Sequence, residues 1–481
     1  MPGTAWASGL LFVLLFLLGL IGHRRRRAAG AGRADAAWSA WGTAIVYGAL
    51  VFLVCYDFTA TPGLGEKGSS AWILAPLAAV PPWWRLIAAL IVLGGLFYPQ
   101  LSRWPGDARK LPGPGAAHPA VRISLLLLLA VAMAAVLFSL RIRHVRFGDA
   151  EHFRETFGLF GEVTSNDHPL YWRIWAAFAE RAGRTVETSM DLIRYLSGLA
   201  GVLFGLLLVV EASRRTPQSG ATRLALAMAL CFPGIQVLFF YPEVYGAALA
   251  AHLVLLIARS RAPGLGALVA LLVAIRIHAI AFALAPAVLW SVAVALWLRR
   301  RGGGDEVPIR RLELGAILAV LALLLWALVA WLDPEANWML RGNFVGVADT
   351  ARYVLGSRPW LMDRLGLLSW VAFPALVLLP AAAAGLRSPG GRDLRIPAAL
   401  AVGAHALYLA TWNCTSGIPG DWDLFAVTGL VFGWFAAEGA GRLPPSHPAR
   451  RILGPIAVSL GAALTLCFIL SNASAGAPGA P

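Results

Sequence analysis

Apolar and polar residues in this chain alternate on the scale of whole helices. Runs of roughly 18 or more apolar residues recur from end to end, each closed by a short polar connection. Hydrocarbon offers the backbone no water to bond, so such runs must bond internally, as helices. A membrane barrel would instead alternate residue by residue, and these runs do not. The pattern predicts spans at 5–21, 41–58, 71–98, 121–140, 191–212, 222–240, 244–258, 264–276, 279–298, 312–332, 364–385, 397–412, 424–440 and 452–470. The predicted fold class is therefore all-α, a polytopic transmembrane helical bundle of about 14 helices within a range of 11–14. The 71–98 span contains Pro81, Pro82, Trp83, Trp84 and Arg85 and is expected to be broken or partly re-entrant, and 244–298 can be divided in more than one way. Three sections follow: N-terminal spans with basic loops at 1–120, a core at 121–300 holding the large loop 141–190, and C-terminal spans at 301–481 holding the loop 333–363.

Charge orients these spans. The net charge is +15 and 59% of the residues are hydrophobic. In a soluble chain such a balance would raise nucleic acid as a partner; here the excess of Lys and Arg in cytoplasmic loops explains it, and no nucleic-acid partner is expected. The loops assigned to the inside (23–40, 99–122, 213–223, 259–263, 299–311, 386–396 and 441–451) hold 25 Lys and Arg against 5 Asp and Glu, whereas the outside loops hold 12 against 15. Residues 5–21 have no basic residue before them and Arg24 to Arg27 just after, so they are expected to be an anchor with its N-terminus outside. Arginine outnumbers lysine 38 to 2, which suggests a GC-rich, bacterial source and a multi-pass cell (inner or plasma) membrane location. The four cysteines are scattered without a C-x-x-C pair, against a disulfide framework or zinc site. G-x-x-x-x-G-K-[ST] is absent, against an ATP-driven pump.

By this layout every polar cluster capable of chemistry faces outside. The richest is 141–190, which gathers Asp149, Glu151, His152, Asp167 and His168 within twenty residues. Phe153, Phe157 and Phe160 mark one interfacial helix, and Pro169 followed by Tyr171, Trp172, Ile174, Trp175 and Phe178 marks a second, capped by Asn166 or Asp167. His152, Glu155 and Glu162 suit the wet face of such a helix, and Asp167 could serve only as a cap. Asp149, after Gly148 at the mouth of a span, has no such structural role and leads the ranking. Arg276 and His278 interrupt an apolar stretch, where a charge is costly unless it snorkels or binds an anion. Glu243 sits between Pro242 and Val244, and Asp421 and Asp423 flank Trp422 before a span, where the helix dipole alone favours acids.

The motifs F-G-D-A-E (147–151) and N-D-H-P-L-Y (166–171), with two interfacial helices in the first large outside loop, resemble the GT-C superfamily of polytopic membrane glycosyltransferases. The likeness is to bacterial relatives of protein mannosyltransferases and lipid A aminoarabinose transferases, and it covers roughly 121–300. Here the acids are spaced D-x-E, Leu170 stands where the family has a second Pro, and three extra spans precede the loop. The resemblance implies transfer of a sugar, with inversion, from a polyprenyl-phosphate-linked donor to a lipid, glycan or protein acceptor outside the membrane. It implies Asp149 as general base, with Glu151 beside it as a catalytic residue. Asp167, His168, Tyr171, Glu243, Arg276, His278, Asp421 and Asp423 would bind substrate, and Arg276 and His278, or Arg341, Arg352 and Arg358, would meet the lipid phosphate. No cofactor follows with certainty; Mg or Mn is left open, since family members differ in using a metal. The rivals are a transporter or flippase of a lipid-linked or small anionic substrate, a lipid-glycan ligase, and a membrane scaffold. Against the first, no internal repeat is evident and most helix interiors lack paired ionisable residues, Asp57 and Glu211 lying near helix ends.

Overall fold

A computed structural model of the protein describes residues 33–50, 53, 80–101, 119–142, 169–183, 185–212, 220–261, 263–300, 311–332, 357–412 and 422–473. Within these residues the fold is all-α. The α-helices are α1 (Arg33–Leu50), α2 (Pro82–Leu101), α3 (Pro119–Ser139), α4 (Pro169–Ala182), α5 (Val186–Ala212), α6 (Gly220–Leu230), α7 (Tyr245–Arg261), α8 (Leu265–Ile277), α9 (Ala285–Arg300), α10 (Arg311–Leu332), α11 (Arg358–Arg387), α12 (Arg392–Thr411), α13 (Ala426–Gly441) and α14 (Pro448–Ala473). Short 3₁₀ turns at Pro233–Leu238, Ala279–Leu284 and Trp422–Phe425 lead into α7, α9 and α13.

Among the described residues five helical stretches are long and apolar enough to cross a membrane: Val186–Ala212, Ala279–Arg300, Glu313–Ala330, Pro389–Thr411 and Pro448–Ala473. At about 1.5 Å per residue, the 27 residues of α5 reach ~40 Å, more than a bilayer core. Others, such as Ile123–Ser139 and Leu265–Ile277, are apolar but shorter. The large apolar side chains that point outward belong in lipid: Leu127, Leu128 and Val131 on α3, and Leu325, Trp326 and Val329 on α10 are each about 60% exposed or more. By contrast α13 is buried all round from Ala426 to Ala440, Phe432 excepted, and forms the centre of the bundle.

Set against the fourteen expected spans, 5–21 and 71–79 lie outside the described residues, as does 41–58 beyond residue 50 apart from residue 53, while 41–50 falls within α1. The rest of 71–98 is the unbroken α2, opened by Pro82 at its first position, where a missing N–H is harmless. The divisions at 244–258, 264–276 and 279–298 match α7, α8 and the 3₁₀ turn with α9. The expected single span 222–240 is instead broken: α6 stops at Leu230, and Pro233, which has no N–H to give an α-helix, opens a 3₁₀ turn. That turn ends in Phe240, whose φ of 55° is left-handed and strained for an aromatic residue. The strain is held by packing: the Phe240 ring meets Phe138 of α3 and Tyr195 of α5 edge-on, at 5.5 and 5.9 Å, and lies directly over Gly198. The result is a sharp turn that sends Tyr241 and Glu243 into the protein, both buried.

Side-chain pairs fix how the helices run. Arg259 and Glu438 join the last turns of α7 and α13, so these helices are parallel. Arg261 joins Glu211 at the end of α5, Arg299 meets Glu313 at 2.9 Å between the end of α9 and the start of α10, and Arg442 meets Asp393 at 3.2 Å between α13 and the start of α12. These pairs define one end of the bundle. At the other end lie the start of α7, the end of α8, the start of α11 and the end of α12, tied where Trp360 Nε1 donates to the Ala410 carbonyl (3.0 Å) and Arg364 to that of Trp412. The loops expected inside, at 259–263, 299–311, 386–396 and 441–451, all adjoin the ion-paired end, as the charge alternation requires.

Helices α11 and α13 cross closely. Gly385 lies against the backbone carbonyl of Gly439 and Gly429 against that of Val371, so neither leaves room for a Cβ. Gly385→Val should force the crossing apart and lower stability by about 1–3 kcal/mol. The measurement is denaturant unfolding of the detergent-solubilised protein; an unchanged midpoint would contradict the tight crossing.

Candidate functional site

One group of polar residues away from the ion-paired end lies around α4. This helix buries Tyr171, Trp172, Trp175 and Ala179, positions that share one helical face, against α5 and α8. The three aromatic rings pack edge-to-face in sequence, 5.2 and 5.8 Å apart, and Trp175 Nε1 donates to the Ser189 carbonyl at 3.4 Å. Ile174 and Phe178, expected on the same apolar face, point outward instead at 40% and 50% exposure. The helix therefore has aromatics on both sides, one for the bundle and one for an apolar surround, while Arg173 is exposed between them.

Tyr171 stands next to Glu243. Burial, with a smaller contribution from the Glu243 carboxylate, holds the phenol well above its ordinary value near 10. Glu243 is fully buried in the turn after Phe240, with its backbone N–H on the Tyr241 carbonyl at 2.8 Å. Two residues on, Tyr245 opens α7 and lays its ring 5.2 Å from that of His278. His278 ends α8: its backbone N–H bonds the Ala274 carbonyl (2.8 Å) and its Nδ1 accepts from the Ile280 N–H (3.1 Å). A neutral imidazole accepting at Nδ1 carries its proton on Nε2, which makes that nitrogen the donor. Arg276, in the last turn of α8, sets its guanidinium 5.6 Å from the Trp326 ring centroid, with the like charge of Arg173 nearby.

Four of the residues expected in the site, Tyr171, Glu243, Arg276 and His278, are thus gathered by α4, the 241–245 turn and the end of α8. Asp423 is fully buried in the 3₁₀ turn before α13, at the same end, beside Phe425. Asp149, Glu151, Asp167, His168 and Asp421 lie outside the described residues, as do Arg341, Arg352 and the helix expected at 150–160. Arg358 opens α11. Among the described residues no three His, Cys, Asp or Glu side chains come together as a metal site. The residues in place here do not form a cage for Mg or Mn.

Sequence reasoning passed over several residues. Asp363 and Arg364, only 8% and 4% exposed, lie in the second turn of α11, and Arg364 sits 5.7 Å from the Phe425 ring centroid. Two charges opening a long apolar run were the available signal. His252 of α7 and His405 of α12 are fully buried with ring centroids 6.4 Å apart. Their Nδ1 atoms meet the Ala248 carbonyl (2.7 Å) and the Thr428 hydroxyl (3.2 Å). This pair is an exception to the expectation that most helix interiors lack paired ionisable residues. Each histidine stands as one polar residue in an apolar run, and only the packing of α7 beside α12 and α13 pairs them.

Comparison with known proteins finds no family model that matches the chain, no similar curated protein and no similar solved structure.

The raised Tyr171 phenol has a consequence at high pH. Below about pH 10 the group is protonated in folded and unfolded chains alike; above it the unfolded chain can ionise while the folded one resists. Stability should fall as pH rises past that value, and Tyr171→Phe should flatten the fall. Unfolding midpoints from about pH 8 to about pH 11 test this; identical alkaline losses in both proteins would refute it.

Proposed function

We propose that this protein is a membrane glycosyltransferase of GT-C type, which moves a sugar from a polyprenyl-phosphate-linked donor to an acceptor on the extracytoplasmic side of a cell membrane. The observation that carries the proposal is where the loop 143–168 leaves and re-enters the bundle. Its first edge is pinned where the Ile142 N–H donates to the Phe239 carbonyl at 3.0 Å, and its last runs into Pro169 and Tyr171. Both edges adjoin the end that holds Tyr171, Glu243, Arg276 and His278. Ile142 and Pro169, which flank the segment bearing Asp149, Glu151, Asp167 and His168, lie at the same end as these side chains, which supports a shared site.

In the proposed reaction Asp149 takes the proton of the acceptor hydroxyl as that oxygen forms its bond to the anomeric carbon. The bond from that carbon to the donor's phosphate oxygen breaks, its electron pair leaves with the lipid phosphate, and the configuration inverts. The phosphate gains charge as it leaves, and in this reading the Arg276 guanidinium and the His278 Nε2–H donate to it. Glu151, Asp167 and His168 orient the acceptor. Tyr171 stays protonated and offers its O–H to a sugar hydroxyl. Asp421 and Asp423 bind further along the same end, and the fold extends to about fourteen spans with the basic loops cytoplasmic.

A second function, transport of a lipid-linked or small anionic substrate, is favoured by one observation, the His252–His405 pair inside α7 and α12. Asp149→Asn separates the two. For the transferase it should lower sugar transfer by about 10²–10⁴-fold without changing folding or insertion; full activity would remove Asp149 as base. Sidedness is tested separately with Ser165→Cys, which impermeant thiol reagents should label from the extracytoplasmic side of intact cells. Labelling only from the cytoplasmic side would overturn the orientation and the enzyme together.

A further inference from the structure

At the ion-paired end, opposite the site just described, the ends of α7, α9 and α13 and the start of α12 enclose a cavity of about 400 Å³. Arg259, Arg261, Arg299 and Arg442 line it, against two carboxylates, Asp393 and Glu438. The partners of Arg261 and Arg299, Glu211 and Glu313, stand outside the lining. The cavity wall is thus richer in guanidinium than in carboxylate. Its other wall is apolar: Trp290, Val294 and Leu298 of α9 line it, and Trp290 and Leu298 are 42% and 44% exposed on the bundle's outer surface. A cavity with a cationic floor and a wall continuous with a lipid-type surface suits an amphiphile whose head is anionic and whose tail is not.

The cationic floor is built. Arg259 is 6% exposed; its guanidinium stacks 4.5 Å over Phe435 and donates to Glu438 and, at 3.2 Å, to Ser260. Its Nε–H is buried with no hydrogen-bond acceptor among the described residues. Ser260 Oγ in turn donates to Glu438 at 2.5 Å and accepts from Trp434 Nε1 at 3.3 Å, so Arg259 cannot turn away. At the rim, by contrast, Arg442 pairs with an Asp393 side chain that is 66% exposed. An exposed pair of this kind is weak, so an incoming phosphate can replace Asp393 on Arg442.

We propose that this cavity binds the phosphate of an anionic lipid headgroup, with the acyl chains along Trp290 and Leu298. The site is independent of glycosyl transfer and is read by binding alone. Native mass spectrometry of the purified full-length protein in neutral detergent, titrated with phosphatidylglycerol, phosphatidylcholine or inorganic phosphate, tests it. A single phosphatidylglycerol should bind at least about tenfold more tightly than phosphatidylcholine. Arg442→Gln, at the exposed rim, and Ala295→Phe, which fills the cavity without touching a charge, should each weaken that binding at least about fivefold. Two variants of different kind guard against misfolding of either one, and both should elute as the parent protein does on gel filtration. Equal binding of the two lipids, or phosphatidylglycerol binding that neither variant reduces, overturns the proposal. Inorganic phosphate that binds alone and displaces the lipid would make the ligand a free phosphate and overturn the lipid assignment.

Discussion

A guanidinium taken out of water must be met by something, and in this bundle Arg259 is met by Glu438. Both are buried, and burying either by itself would cost several kcal/mol. Ser260, Trp434 and Phe435 complete the enclosure. The pair locks α7 to α13, and α13 is the helix that α6, α11 and α12 pack around. Once these two run parallel, the other interhelical ion pairs among the described residues fall at the same end, and the starts of α7 and α13 are delivered together to the other. The separation of charge-paired from mixed polar residues along the bundle axis follows from that one constraint.

The mixed end works by a different device. Phe240 sits in a conformation that a free peptide would avoid, at about 1–3 kcal/mol. Aromatic packing from α3 and α5 keeps it there. What the strained turn achieves is the inward aim of Glu243, which a continuous helix through 222–240 would have spread along a lipid-facing surface. A buried carboxylate then has a buried phenol beside it, and the next helix starts with a tyrosine against His278.

Much of this was legible in the chain. Helix identity followed from apolar runs, and the boundaries of α7, α8 and α9 matched because Pro263-Gly264 and His278 punctuate them. Tyr171, Glu243, Arg276 and His278 border apolar runs in the sequence; Tyr171 stands beside Glu243, and Arg276 and His278 share the end of α8. Three things were not legible. Pro233 was absorbed into an apolar window that averages over a break. The outward turn of Ile174 and Phe178 depends on which face of α4 finds α5 and α8, a tertiary choice. His252 and His405, 153 positions apart (405 − 252), become neighbours only through helix packing, and single histidines in apolar runs give no hint of each other.

The Arg259–Glu438 pair joins residues 179 positions apart in the chain. During synthesis the arginine is therefore made long before its carboxylate exists. Until α13 emerges, the nascent protein carries an uncompensated cation at the end of α7, held at the surface by its long stem rather than folded inward. The central helix is thus also among the last to be made. A chain cut short before residue 426 would lack both that carboxylate and the helix around which α6, α11 and α12 pack.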